Sequence, residues 1–530
     1  MTVGRTWTVV LTGLVGELVE VEADLSTQTP GFSIIGLPDK AIGEAQQRVR
    51  NACGNSDLPL PRRRVVVNLS PARLPKHGTG LDVAVAIAAL ATELPLDAAS
   101  LLRTVHLGEL GLDGRLRPVP GILPAVAAAA DAGFRRVIVP AACRSEAELV
   151  ASVEVVAAVS LRDVARHHGL DVASVAEETV PLPDVQDTGA HGRDGGTGKD
   201  EAPAPAETTD LAGAPDLAEV IGQDEAVESL IVAAAGGHHL LMTGPPGAGK
   251  TMLARRLPGI LPELGDAEAL QAASLRSLAG TPVITLERTP PFEAPHHTAS
   301  VGALVGGGSR QVQPGAIARA HGGVLFLDEA GEFAGYALDA LRQPLESGEI
   351  EIHRAGFRAR FPARFQLVLA TNPCPCGQYG VPGGACVCAS IAIRRYLGKL
   401  SGPLLDRVDI ELSMRRVSTT LVPSTSVVTT AQARARVRAA RERAAHRLRE
   451  TPWRTNAETS GSWLRTGPCA PAGAVRKPLD AALRRGSLTL RGYDRVLRLA
   501  WTIADLAGRG HLELGDVGRA LFLKKGAGAA

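Results

Sequence analysis

One stretch constrains the fold more than any other: HLLMTGPPGAGKTMLARRL, from His239 to Leu257. A short apolar run leads into Gly244-Pro245-Pro246-Gly247-Ala248-Gly249-Lys250-Thr251, and strong helix formers follow. Strand, glycine loop and helix in this order let successive backbone N–H groups converge on a phosphate, where the helix N-terminus also favours negative charge. Lys250 is placed to bridge β- and γ-phosphate oxygens, and Thr251 to ligate Mg²⁺. Such a loop sits at the C-terminal edge of a parallel sheet, so the surrounding chain must be α/β. Two further strands fit that edge. Gly323-Val-Leu-Phe-Leu-Asp328-Glu329 is an apolar run ending in two acids, as a buried parallel strand delivering carboxylates would be. Asp328 suits the Mg²⁺ shell and Glu329 the polarising of an attacking water. The run from Phe365 to Asn372 ends in a polar side chain that can orient the same water, and SGPLLDRVDIEL offers Arg407 just after a turn, in reach of a phosphate held by a neighbouring subunit.

At 530 residues the chain is too long for one core. Residues 176–214, including TGAHGRDGGTGKDEAPAPAETTD, lose apolar periodicity and read as a flexible linker. They divide a first domain, 1–175, in which Val-rich strands alternate with Ala-rich helices, from an α/β core at 215–414 and a helical block at 415–530. In that block TAQARARVRAARERAAHRLRE, from Thr430, runs for about six helical turns. Its arginines read as a solvated face rather than as phosphate ligands. A formal net charge of +2 argues nothing about polyanions, so local clusters must carry any such case. No apolar run reaches the roughly 18 residues of a membrane span, and seven cysteines in so long a chain do not form a disulfide framework. Together these lead us to expect a reduced, cytoplasmic protein.

Phosphate loop, acid-ended strand, Asn-ended strand and LLDR, in that order, resemble an AAA+ ATPase of the clade that includes magnesium chelatase and replicative MCM helicases. The segments EAPHHTASVGALVGGG, HGGVLFLDE, ALRQPLESG, FPARFQLVLATNPCPCG and SGPLLDRVDI narrow the resemblance to the magnesium-chelatase-like ComM (YifB) family. It implies a fold: a Lon-protease-like α+β N-terminal domain, an AAA+ P-loop α/β core with a helix-2 insert and a pre-sensor-1 hairpin, and an α-helical C-terminal lid. By that resemblance Lys250 and Thr251 are Walker A, Asp328 and Glu329 Walker B, Asn372 sensor 1, Arg407 a finger acting in trans and Arg491, in LTLRGYDRVLRLAWTIADL, sensor 2. Ile221 and Gly222 line the adenine pocket. The resemblance further implies a ring, usually a hexamer, that uses ATP and Mg²⁺ to migrate branched DNA during recombination and natural transformation. A protein-remodelling ATPase of the magnesium-chelatase type is the alternative, and an ATP-dependent Lon-like protease a weaker one.

Three local features bear on that choice. In GEIEIHRAGFRARF, residues 348 to 361, alternation predicts a hairpin turning at Ala355-Gly356, with Glu351 opposite Arg360 and Ile350 opposite Phe361. Arg354 and Arg358 are then left at the tip without a carboxylate. A solvated surface hairpin is one reading; the resemblance, which puts pore loops of MCM-type rings here and in TASVGALVGGGSRQVQPGAIARAHGG, makes the two arginines phosphate contacts to DNA. Cys374, Cys376, Cys386 and Cys388, directly after Asn372, suit either a Cys₄ zinc site or four packed thiols. His296 and His297 read as fixing the insert's backbone rather than binding metal. In the first domain, LPKHGTGLDVAVAIAAL carries the Lon likeness, with Gly80 near the place of a nucleophile and Thr79 and Ser70 nearby, so the domain reads as non-proteolytic. Arg62, Arg63, Arg64, Lys76 and His77 form either a basic patch or a plain solvated surface.

Overall fold

A computed structural model describes residues 3–26, 29–36, 40–74, 76, 78–173, 215–308, 312–354, 357–381, 383–416 and 427–525. The expected linker, the hairpin turn at Ala355-Gly356 and His77 lie outside the described residues.

The first domain is a mixed seven-stranded sheet. Its strands are β1 (Gly4–Thr12), β2 (Val15–Ser26), β3 (Gly31–Ile35), β4 (Arg64–Ser70), β5 (Thr104–His106), β8 (Arg136–Pro140) and β9 (Glu154–Ala158), in the order β3-β4-β2-β1-β5-β8-β9. A small ladder of β6 (Glu109–Leu110) and β7 (Leu116–Arg117) lies apart from it. Helix α1 (Lys40–Asn55) packs on helix α2 (Asp82–Leu90), whose sequence DVAVAIAAL is apolar all round and is buried at every position. Such a helix belongs inside a core rather than on its surface. Its one charge, Asp82, accepts from Arg48 Nε at 2.8 Å and Nη2 at 3.1 Å and from the Leu110 N–H at 3.2 Å. Burial pushes the Asp82 carboxyl up, against the pull of those donors. The supposed basic patch is smaller than its sequence: Lys76 is fully buried and its Nζ donates to the Pro71 carbonyl at 2.5 Å.

The second domain is a five-stranded parallel sheet of β10 (Leu240–Thr243), β11 (Phe292–Glu293), β14 (Val324–Leu327), β17 (Gln366–Thr371) and β18 (Ile410–Ser413), ordered β11-β14-β17-β10-β18. Strands β10, β14 and β17 are almost wholly buried, the near-continuous apolar reading that a sheet covered on both faces demands. The ladder β15 (Glu349–Arg354) and β16 (Phe357–Pro362) has the register the sequence predicts, Glu351↔Arg360 and Ile350↔Phe361. Its inner face, Ile350, Ala359 and Phe361, joins the apolar cluster that also holds Leu241, Leu327 and Leu369 from the central strands. Beside it, β12 (Gly306–Gly307) and β13 (Gln313–Pro314) form a second, shorter ladder, and a Cβ on Gly306 would come within 3.2 Å of Ile352.

Two contacts join the domains. Helix α3 (Ile122–Asp131) lies on helix α6 (Asp266–Leu278), with the Gly121 N–H donating to the Ser277 carbonyl at 3.1 Å. The turn between β1 and β2 meets the hairpin: Gly13 has φ +67°, and a Cβ there would stand 2.3 Å from the Arg360 carbonyl oxygen. Only glycine satisfies both demands.

After residue 427 the described chain is helical, including α9 (Thr430–Leu448), α10 (Leu490–Leu506) and α11 (Leu514–Lys525). Helices α9 and α10 both pack against α4 (Asp224–Gly236) of the core. Most arginines of α9 form the solvated face expected of them, Arg434, Arg436, Arg438 and Arg443 being exposed, while each also holds a partner within the chain. Arg441 turns inward: it is half-buried, its guanidinium bonds the Ala234 carbonyl, and desolvation lowers it to about 10. No described helix is long and apolar enough to cross a membrane.

Candidate nucleotide-binding and hydrolysis site

Strands β10, β14 and β17 end side by side, and their C-terminal edge gathers the groups that the sequence singles out. Helix α5 (Lys250–Ala254) begins at the loop, with Gly247 and Gly249 at φ +78° and +87°, conformations that leave N–H groups facing the cradle. A Cβ on Gly247 would meet nothing within 4 Å, so the loop is open where a phosphate would lie. Lys250 Nζ donates to the Gly244 carbonyl at 2.6 Å, to the Pro245 carbonyl at 3.2 Å and to Asn372 Oδ1 at 3.0 Å. Burial pulls its pKa down, while Asp328 and Glu329 push the other way. Thr251 Oγ1 donates to Asp328 Oδ2 at 2.5 Å, the pairing from which a shared Mg²⁺ shell is built. Lys250, Thr251, Asp328, Glu329 and Asn372 thus lie together at one edge of the sheet.

The geometry adds two participants, His297 and Gln223, and a strained backbone at Glu329. Glu329 has φ +50°, a left-handed backbone rare for a residue with a side chain, and such strain clusters at functional positions. Its carboxylate is engaged: His297 Nδ1 stands 3.3 Å from Glu329 Oε2. His297 therefore contacts the acid that the sequence assigns to the attacking water; a contact between residues 32 positions apart leaves no mark in the sequence. Gln223, next to the predicted Ile221 and Gly222, donates through Nε2 to the Ala248 carbonyl at 3.2 Å and to the Arg415 carbonyl at 2.7 Å. It ties residues 221 and 222 to the phosphate loop; Ile221 itself is 53% exposed.

Arg407 and Arg491 are not brought to this loop. Arg407 pairs with Glu346, donates to the Pro403 carbonyl and leaves its Nε buried without a partner. Arg491 is largely exposed, 3.7 Å from Asp406. On the hairpin, Arg358 does find a carboxylate: Glu351 pairs with Arg358, with Arg360 at 3.1 Å and with His353 at 3.3 Å. One acid therefore serves three basic side chains. Arg354 and Arg358 occupy adjacent ladder pairs, Arg354↔Phe357 and His353↔Arg358.

Beyond Asn372 the four cysteines close on one another. Cys374 Sγ lies 3.4 Å from Cys376 Sγ and 3.8 Å from Cys386 Sγ, Cys376 and Cys386 are 3.7 Å apart, and Cys388 completes a group within 4.8 Å. Sulfurs at the corners of a tetrahedron around Zn²⁺ with bonds of about 2.3 Å would stand about 3.8 Å apart. The donor set fits that ion. The Gln378 N–H and the neighbouring Cys374 and Cys388 thiols hold the Cys376 thiol down at about 6. The cluster also abuts the nucleotide site, since a Cβ on Gly377 would lie 2.4 Å from Pro246 of the phosphate loop.

In the first domain Gly78, Thr79 and Gly80 line a cleft with Val9, Leu107 and Val119, and among the described residues that lining contains no acid, lysine or histidine to activate Thr79.

Family models match three parts of the chain: subunit ChlI of Mg-chelatase over residues 21–143, magnesium chelatase subunit ChlI over 216–422, and its C-terminal part over 428–524. An uncharacterised protein of Mycobacterium tuberculosis is 48% identical over 99% of both chains. The competence protein ComM of Haemophilus influenzae is 40% identical over 94% of this chain and 92% of its own, and the uncharacterised YifB of Escherichia coli is 38% identical over 92% and 90%.

Proposed function

The chain belongs to the magnesium-chelatase-like ComM/YifB family of AAA+ ATPases, and from that membership we propose that it is an ATP-driven, ring-forming DNA motor that migrates branched recombination intermediates. The observation that carries the reading is the hairpin. Its outer face sets Arg358 and Arg360 against a single shared carboxylate, while its inner face packs in the same apolar cluster as the strands that deliver Asp328 and Asn372. A change at the phosphate edge then has a solid path to a basic ladder that suits a DNA backbone, without base specificity. Mg²⁺-ATP supplies the transferable γ-phosphoryl group. The chain's own parts bind it at residues 244–251, ligate the ion through Thr251 and Asp328, and orient water through Glu329 and Asn372. Arg407, in a ring that is hexameric by family likeness, acts on the neighbouring protomer's phosphate, and Arg491 acts as sensor 2. The four cysteines hold a structural Zn²⁺. The first domain is a non-proteolytic Lon-like module, a reading that the apolar cleft at Thr79 supports. The Haemophilus relative is named a competence protein, which supports a role in natural transformation, and a cytoplasmic location belongs to the same proposal.

The test is migration of a fluorescent four-way junction with ATP hydrolysis read in parallel. Lys250→Ala abolishes both. Arg354→Ala/Arg358→Ala keeps assembly and basal hydrolysis but migrates poorly. If junctions neither bind nor stimulate the unaltered protein at low salt, the DNA reading fails and the remodelling of a protein partner takes its place.

A further inference from the structure

Three successive residues just before the last core strand are tied down, all of them by the helical domain. The Arg407 carbonyl accepts from Arg495 Nη1 at 2.8 Å, and the Val408 carbonyl accepts from Lys524 Nζ at 3.0 Å. Asp409, fully buried, pairs again with Arg495; on its other oxygen it faces the His238 Nδ1 at 3.4 Å and the His239 N–H at 3.3 Å. Burial opposes its ionisation, yet Arg495 and the two histidines hold the carboxyl well below the usual range. Arg495 belongs to α10 and Lys524 to α11. On the other side, His238 Nε2 lies 2.7 Å from Thr502 Oγ1, again on α10. Charged side chains that reach across a domain boundary to hold backbone carbonyls fix a position, because the carbonyl cannot rotate away as a side chain can.

We propose that Arg495 and Lys524 are positioning residues for Arg407, so that the helical domain of each protomer carries the finger it presents to its neighbour. The inference rests on reading Arg407 as acting in trans. Its consequence is directional: a nucleotide-driven movement of α10 and α11 in one protomer displaces the arginine acting on the next protomer's phosphate, linking successive sites around the ring without a change in the neighbour's own loop.

Mixed rings test it. Lys250→Ala protomers have no turnover of their own but an intact finger, whereas Arg407→Ala protomers have an intact nucleotide loop but no finger. Mixed in equal amounts, they restore a working junction at about one interface in four by random assembly of a head-to-tail ring. Arg495→Ala and Lys524→Gln should each lose turnover at least tenfold and bind a fluorescent ATP analogue as the unaltered protein does. With Lys250→Ala protomers they should recover to the level that Arg407→Ala reaches. Because Arg495→Ala leaves Asp409 unpaired and can fail to fold, Lys524→Gln, on a less buried pair, carries the same comparison. Recovery by Arg407→Ala but by neither of the others, or undiminished turnover in both, overturns the proposal. If Arg407→Ala itself is unimpaired or is not rescued, it is the trans reading of Arg407 that fails.

Discussion

Helix α9 and the β15–β16 hairpin are both rich in arginine, and they differ in what those arginines have left to give. In α9, Arg434 bonds the Gly259 carbonyl, Arg436 grips Glu228 with both Nη atoms and Arg438 pairs with Glu442. Arg441 takes the Ala234 carbonyl, Arg443 the Asp505 carbonyl, and Arg447 the Asp505 carboxylate and Asn456. All six arginines are committed within the chain. On the hairpin the ratio reverses, since Glu351 alone faces Arg358, Arg360 and His353. The helix has more positive charge, but the hairpin has more unspent charge, and only the second is available to a polyanion.

The largest effect should come from breaking a committed arginine. Arg447 Nη1 and Nη2 lie 2.5 and 2.7 Å from the two Asp505 oxygens, and the guanidinium stacks 4.3 Å from the Trp501 ring. Arg447→Ala strands a carboxylate that is 1% exposed. Stability to urea should fall by about 3–5 kcal/mol, while the salt dependence of DNA binding in the fold that remains stays as it was. A loss below about 1 kcal/mol would make this pair no different from a surface one and dissolve the contrast.

The hairpin should show the reverse profile. Arg358→Ala/Arg360→Ala removes two exposed cations and should change stability by no more than about 1 kcal/mol. DNA affinity should drop, and the slope of log affinity against log salt should flatten by up to about two. An unchanged slope, measured by anisotropy across a salt series, would move the DNA contact elsewhere.

Why the sequence distinguishes some of this and not the rest follows from the range of each interaction. The hairpin's register is legible because alternation fixes it locally, and both predicted pairs occur. The phosphate loop and its acids were legible because strand, turn and helix signals surround them. What the sequence hid were the partners. Backbone carbonyls, which hold Arg434, Arg441, Arg443 and Lys76, have no residue identity to read. Glu346, which draws Arg407 inward, is 61 positions away, and His297 meets Glu329 only because β11 lies beside β14. Arg358 finds a carboxylate, against expectation, because Glu351 lies diagonal to it, within the reach of a long side chain, and not directly opposite.

That diagonal contact gives the smallest and most discriminating prediction. Glu351 is 20% exposed and restrains three basic groups at once, so it competes with any phosphate for them and repels the phosphate itself. Glu351→Gln keeps the length and a hydrogen-bonding amide but removes the charge. DNA affinity at low salt should rise two- to fivefold, about 0.5–1 kcal/mol, and the gain should vanish as the Debye length shrinks towards 3 Å near 1 M salt. The sign decides between two roles for the same acid. If affinity rises, Glu351 is a brake on available charge, and the hairpin's excess of cations is what DNA meets. If affinity falls, the carboxylate instead aims Arg358 and Arg360, and the hairpin then resembles α9 in needing its internal pairs.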